Sequence, residues 1–296
     1  MKPFAELLDG LIFMPSRNGK LALMADYLSA APDPDRGWAL AALAGDVSFK
    51  HAKPALLRQL VMDRVDSTLF ELSYDYVGDL AETVALIWPG PEDRSAGDPP
   101  SLGDVVDTLS GTGKTHLPRV IAAWLDRMDQ RERWALLKLI TGGLRVGVSA
   151  RLAKTALGQA FGLELGDIEE VWHGLEAPYT RLFDWAEGRA DRPDPSDQPV
   201  FRPFMLAHPL EDAVVDPADY LVEWKWDGIR VQLVAMGGEV RLYSRTGDDI
   251  SAAFPDVVEG VPGNAGLLDG ELLVRDAAGA VAPFNHLQQR LNRKRV

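Results

Sequence analysis

The sequence predicts a multi-domain chain: an all-α N-terminal domain over residues 1–183, a linker over 184–200, and part of an α+β domain with an antiparallel sheet over 201–296. Three observations predict it. Apolar residues recur at three- and four-residue spacing through the first part. A Pro- and Asp-rich stretch with little apolar content follows. Beyond it the period drops to two, and a Gly-Gly pair separates two alternating runs. A length of 296 residues accommodates about two domains.

In order, the helical period runs through Phe4–Phe13, Leu21–Ala30, Arg36–Leu43, Lys53–Asp66, Val77–Trp88, Leu117–Met128 and Trp134–Ile140. Pro54 sits in a first helical turn, where the missing N–H costs least. Pro89–Pro100, rich in Pro, Gly and acid, reads as a surface loop. Leu102–Leu109 reads as a short helix. Ser149 is placed to cap a helix that ends at Phe161, before Gly162. In the second part Arg230–Met236, the Gly237-Gly238 turn and Glu239–Ser244 form a hairpin pattern, Ser251–Glu259 a short helix, and Leu267–Val274 a further strand.

Composition narrows the chemistry. Zero cysteines exclude disulfides, thiolate metal sites and cysteine nucleophiles. No apolar run approaches the roughly 18–20 residues that span a bilayer, and acidic residues follow Met1 too soon for a signal pattern. A cytoplasmic protein without membrane association is expected. The net charge of −13 argues against a nucleic-acid partner, because phosphate neutralisation dominates such binding. A local basic face has to carry any such reading.

One stretch offers that face. Lys138–Lys154 holds four basic residues, Lys138, Arg145, Arg151 and Lys154, with no acid between them, and Gly142, Gly143 and Gly147 interrupt two helices. Such glycines let backbone approach a ligand, and helix N-terminal amides bind phosphates. A plain helix–helix turn with solvated charges explains the same residues, and the residues alone leave both readings open. Ser110–Thr115 imitates a phosphate-binding P-loop, but Thr108 stands where the motif needs glycine and no strand precedes it.

The other chemistry lies in the second part. Lys225 sits in an apolar, aromatic run, Leu221–Arg230, followed by Asp227-Gly228. A buried lysine has a lowered pKa and a lone pair free for attack, so Lys225 is read as a buried nucleophile. Arg230 and Arg245 are fixed cations suited to phosphate oxygens. Asp269 and Glu271 share one face of a strand and can address one ligand or one hard metal ion. Glu223 shares the face of Lys225. Each has a plain alternative in a surface ion pair, a turn or a polar loop.

These residues resemble a known family. Glu223-Trp224-Lys225-Trp226-Asp227-Gly228-Ile229-Arg230 is similar to the Lys-x-Asp-Gly-x-Arg motif of covalent nucleotidyltransferases, which comprise DNA ligases, RNA ligases and mRNA capping enzymes. Ser244–Gly247 and Leu268–Leu272 resemble the next two motifs in order, and Pro283-Phe284 through Arg293-Lys294 the segment that follows in ATP-dependent DNA ligases. Arg202–Ala207 is similar to the opening of that domain. Gly78–Thr83 and Gly142–Ser149 resemble segments of the helical DNA-binding domain that precedes the catalytic core of those ligases.

The resemblance implies an N-terminal all-α DNA-binding domain followed by part of a nucleotidyltransferase (adenylation) domain. It implies that Lys225 attacks ATP to form lysyl-AMP, which then activates a nick for sealing. Glu223 reads the adenine, Arg230 and Arg245 bind ribose or phosphate, and Glu271 contacts ribose or Mg2+. Gly143, Arg145, Gly147, Arg151 and Lys154 contact nicked duplex DNA, and the protein is a monomer. The family's later motifs and its oligonucleotide-binding domain have no counterpart before Val296, so an incomplete form with little activity alone, and with exposed apolar sheet surface, is expected. A non-catalytic nick-binding module and a nucleotidyltransferase acting on RNA are the competing expectations. Replication, repair and recombination roles are not distinguished.

Overall fold

A computed structural model describes residues 1–90, 99–205, 209, 216–264, 266–276 and 278–291. Most of the expected Pro89–Pro100 loop, Leu206-Ala207 and Arg293-Lys294 lie outside the described residues. The chain divides into two compact units. One comprises Met1–Ile168 and Leu175–Arg192, the other Glu169–Gly174 and Pro193–Val296.

The first unit is helical: α1 (Lys2–Phe13), α2 (Arg17–Ala30), α3 (Asp35–Ala44), α4 (Pro54–Met62), α5 (Ser67–Val77), α6 (Leu80–Ile87), α7 (Leu102–Gly111), α8 (Leu117–Arg127), α9 (Gln130–Thr141) and α10 (Ala150–Phe161). A further helix, α11 (Leu165–Trp172), begins in this unit and ends in the other, and α12 (Thr180–Ala186) belongs to the first. Helix α9 is the centre. Asp129 and Glu132 close a capping box at its start, and Gly142 ends it in the left-handed conformation at φ 74°. Every residue from Ala135 to Ile140 is buried, so the helix is enclosed on all faces, with α1 and α6 packed against it.

One sequence expectation is corrected here, and one is met. Val77–Trp88 is not one helix. Gly78, at φ 74°, terminates α5, and the Asp79 side chain accepts from the Glu82 amide to start α6. The apolar period carried across this break because both helices bury residues against the same core. The Ser110–Thr115 stretch links α7 to α8 and follows a helix, so it lacks the strand that a P-loop requires.

The second unit is built on a three-stranded antiparallel sheet in the order β2-β1-β3, with β1 (Ile229–Met236), β2 (Glu239–Ser244) and β3 (Gly266–Leu272). The hairpin closes through the predicted two-residue turn. Met236 faces Glu239, and Gly237 and Gly238 take φ 62° and 86°, values that side-chain-bearing residues rarely adopt in succession. Val231, Leu233 and Ala235 of β1 pack with Leu242, Phe254 and Leu287 on one face. Val234 packs with Phe201 and Tyr243 on the other. Gln232 is also buried, and its amide accepts from the Arg202 N–H at 2.6 Å and donates to the Arg202 carbonyl at 3.0 Å. That reciprocal pair satisfies both ends of a buried amide and ties the Arg202–Phe204 segment to β1. A 3-10 turn over Ser251–Ala253 precedes α13 (Pro255–Glu259), and α14 (Asn285–Leu291) places Leu287 in the core. Among the described residues β3 is an edge strand, and its Leu267 and Leu268 are exposed.

Candidate functional site

An open cleft of about 1260 Å3 in the second unit is lined by Glu223, Lys225, Arg230, Arg245 and Glu271, together with Trp224, Ser244, Thr246, Asp269 and Phe284. The sheet explains why these residues meet. Arg230 on β1 faces Glu271 on β3, and Asp269 lies two residues along the same face of β3. Ser244 ends β2, so the loop after it, with Arg245, opens beside the start of β1, where Val231 faces Ser244.

Each polar group in the cleft has a defined state. The Arg230 guanidinium forms a fork with Asp269, Nε to Oδ1 at 3.2 Å and Nη2 to Oδ2 at 2.7 Å, and also donates to the Met205 carbonyl at 3.2 Å. Its Cζ lies 4.6 Å from the centre of the Phe204 ring. Arg230 is thus aimed and half neutralised by protein groups. The Glu271 carboxylate accepts from the Gly228 N–H at 3.1 Å, which anchors the Asp227-Gly228 turn to β3. Gly228 is required there by space: a Cβ would lie 2.4 Å from the Leu272 carbonyl oxygen. The Ser244–Asp248 loop closes on itself through Ser244 Oγ, Thr246 Oγ1 and Asp248, with Gly247 at φ 86°. Arg245 projects from that closed loop, exposed and without a partner among the described residues.

Lys225 overturns one expectation. The sequence reading buries it, but the structure leaves it exposed, on a segment before β1 that is not a strand. Its neighbours are equally open: Leu221, Val222 and Trp224 are exposed, Trp224 by 83%. Apolar neighbours in sequence do not bury a side chain unless another element packs on them, and none of the described elements does so here. Glu223 lies on the same open segment.

The residues present accommodate a divalent cation only in part. Among the described residues there is no cluster of three or more His, Cys, Asp or Glu side chains that could hold a metal. Asp269 and Glu271 nevertheless offer two hard oxygen donors on one strand face, and Mg2+ is commonly held by one or two carboxylates plus substrate phosphates.

The basic stretch of the first unit also differs from its sequence reading. Lys138 is not part of an exposed face. It is 2% exposed, with Nζ 2.7 Å from Asp79 and 3.4 Å from Glu82. Arg145 is open, its side chain 77% exposed, and it takes a left-handed φ of 52°. Gly143 and Gly147 lie on the same turn, and Arg151 and Lys154 one turn apart on α10. Two residues the sequence reading missed adjoin Gly147 and Ser149 in a second cleft: Arg17 and Lys20 at the start of α2. Lys20 donates to the Val146 carbonyl at 2.5 Å. The signal available for them was only their position after Ser16, a helix cap.

Comparison with known proteins bears on both units. Residues 204–296 match the family described as the ATP dependent DNA ligase domain. A probable DNA ligase of Koribacter versatilis (strain Ellin345) is 28% identical over 317 aligned positions, which cover 100% of this chain and 54% of that protein. DNA ligase 1 of Korarchaeum cryptofilum (strain OPF8) is 27% identical, covering 100% of this chain and 57% of its own length. A solved structure named Pmar-Lig_PreS3 aligns with 99% of this chain and 54% of its own, at 17% identity and a TM-score of 0.45. The chain spans about half the length of the curated relatives it matches. Residues 204–296 thus match the ATP dependent DNA ligase domain, and relatives named DNA ligase align along the whole of this chain.

Proposed function

We propose that this chain carries the nucleotide-accepting part of an ATP-dependent DNA ligase, with Lys225 as the residue that becomes adenylated. The observation that carries this reading is the cleft itself. Lys225, Arg230, Arg245, Glu223 and Glu271, singled out from three separate sequence motifs, line one cavity.

In the proposed reaction Lys225 Nζ, having lost its ammonium proton, attacks the α-phosphate of ATP. A P–N bond forms, the P–O bond to pyrophosphate breaks, and lysyl-AMP results. AMP then passes to the 5′-phosphate of a nick, and the 3′-hydroxyl displaces it as the strand is sealed. Arg245, unpaired among the described residues, is the cation most available to a phosphate, and Arg230 is held in place by Asp269 for a second contact. Glu223 is assigned to the adenine and Glu271 to the ribose. Glu271, as the alternative to its ribose contact, would hold Mg2+ jointly with the phosphates, and the ion supplies charge neutralisation when bound. The helical unit is assigned to duplex DNA through Gly143, Arg145, Gly147, Arg151 and Lys154, mainly by phosphate contacts without sequence preference.

The test is incubation with α-labelled ATP and magnesium. A label that survives denaturation and is lost in Lys225→Ala supports adenylation. Absence of label in the unaltered chain, with nicked duplex still retained, would instead favour a DNA-binding module without catalysis. Labelling by GTP in place of ATP would point to capping-like chemistry.

A further inference from the structure

Gly78–Thr83 and Gly142–Ser149 are far apart in sequence, yet they meet at one carboxylate. We propose that Asp79 is a positioning residue for a phosphate-binding site on the Gly142–Ser149 turn, and that it acts through Arg145. The proposal rests on the DNA reading given above and names a residue that the motif-derived contact set leaves out.

Asp79 has two separate duties. Its Oδ1 accepts from the Glu82 amide at 3.1 Å, which caps α6. Its Oδ2 accepts from the buried Lys138 Nζ at 2.7 Å, and the same oxygen lies 3.9 Å from Arg145 Nη1. The first two contacts are short and directed. The third is too long for a hydrogen bond, so the guanidinium is attracted without being consumed. Burial opposes the Asp79 charge, but the hydrogen bonds from Lys138 and the Glu82 amide outweigh it and hold the carboxyl below its ordinary range. The carboxylate is therefore a permanent negative charge beneath Arg145.

The turn needs such support. Within six residues it holds three left-handed positions: Gly142 at φ 74°, Arg145 at φ 52° and Gly147 at φ 67°. Glycine adopts that region freely; arginine does so at a cost and persists there only where its surroundings over-determine it. The anchors are visible on both sides. Lys138 with Asp79 holds the α9 end, and Lys20 holds the Val146 carbonyl at the other. Between them the backbone is pinned and the one side chain left open is a cation. A strained, pinned, exposed arginine beside the capped start of α10 is an arrangement for an anion, and the partly buried acid beneath it sets where the guanidinium stands.

The competing reading makes Asp79 a bystander that only caps α6 and neutralises Lys138. The two readings differ in the sign of one measurement. Asp79→Asn keeps a good helix cap and removes the charge. A bystander acid near a phosphate site weakens DNA binding by repulsion, so its removal would tighten binding. A positioning acid does the opposite. The full chain would be titrated with nicked duplex at two salt concentrations, for the unaltered protein, D79N, R145A and the double variant, with circular dichroism to show retained helix. The expected result is weakening of roughly fivefold to tenfold in D79N, and no further loss when D79N is added to R145A. Tighter or unchanged binding in D79N, or an equal loss in both backgrounds, overturns the positioning role. R145A binding as tightly as the unaltered chain is a different failure: it removes the DNA reading of the turn, and the role of Asp79 with it.

Discussion

At the scale of single residues, the decisive side chain of the helical unit is Lys138, buried with two carboxylates around its ammonium. Removing one partner of such a pair leaves the other charge in a poorly solvated place. Lys138→Met should lower the unfolding free energy of the chain by about 3 kcal/mol in chemical denaturation. The loss should also depend on pH. Asp79 has a lower carboxyl pKa folded than unfolded, so its contribution is fully present above the unfolded value of about 3.9 and is lost as pH falls through the lower folded value. The stability gap between K138M and the unaltered chain should therefore narrow on acidification below about pH 4; a gap that stays constant would show that Asp79 is not the partner that matters. Lys138 and Lys225 have similar sequence surroundings, each a lysine in an apolar run. One is enclosed because α9 has neighbours on every side, the other is open because nothing described packs on residues 221–227. Burial is a tertiary property, and that is why the sequence assigned it to the wrong lysine.

At the scale of elements, β1 and β3 hold the cleft together, and Gly228 is where they come closest to the lysine segment. A methyl group there would meet the Leu272 carbonyl oxygen at 2.4 Å, closer than real contacts allow. Gly228→Ala should therefore push the Asp227-Gly228 turn off Glu271, cost about 2 kcal/mol in thermal unfolding, and reduce adenylation more than the stability loss explains. Adenylation that persists at the level of the unaltered chain would mean that the Gly228–Glu271 contact does not shape the site. The hairpin was legible from sequence, to within one residue at the start of β1, because the Gly-Gly turn and the alternation of Arg230–Met236 and Glu239–Ser244 permit only one register. The joint between α5 and α6 was not. Gly78-Asp79 carries both a stop and a start signal, but the apolar period continues through it and masks the break.

At the scale of the whole molecule, the chain carries a net charge of −13 and its proposed partner is a polyanion. Binding then depends on a few local cations, and each phosphate contact adds close to one unit to the dependence of log affinity on log salt. Arg145→Ala should lower that slope by about 1 and weaken binding to nicked duplexes of different sequence alike. An unchanged slope would place the contact elsewhere. The order of helices and then sheet was readable because the apolar period changes from helical to strand spacing. The cleft was readable only through motif resemblance, since no spacing rule brings Lys225, Arg245 and Glu271 together without the β2-β1-β3 order.

The central claim is that Lys225 is the residue that takes the nucleotide. Mass spectrometry of proteolytic fragments after incubation with ATP and magnesium tests it most directly. The account predicts an AMP-sized mass increase, labile to acid and stable to base, on the peptide that contains Lys225. An AMP adduct mapped to a different lysine, or no adduct on any peptide, would contradict it.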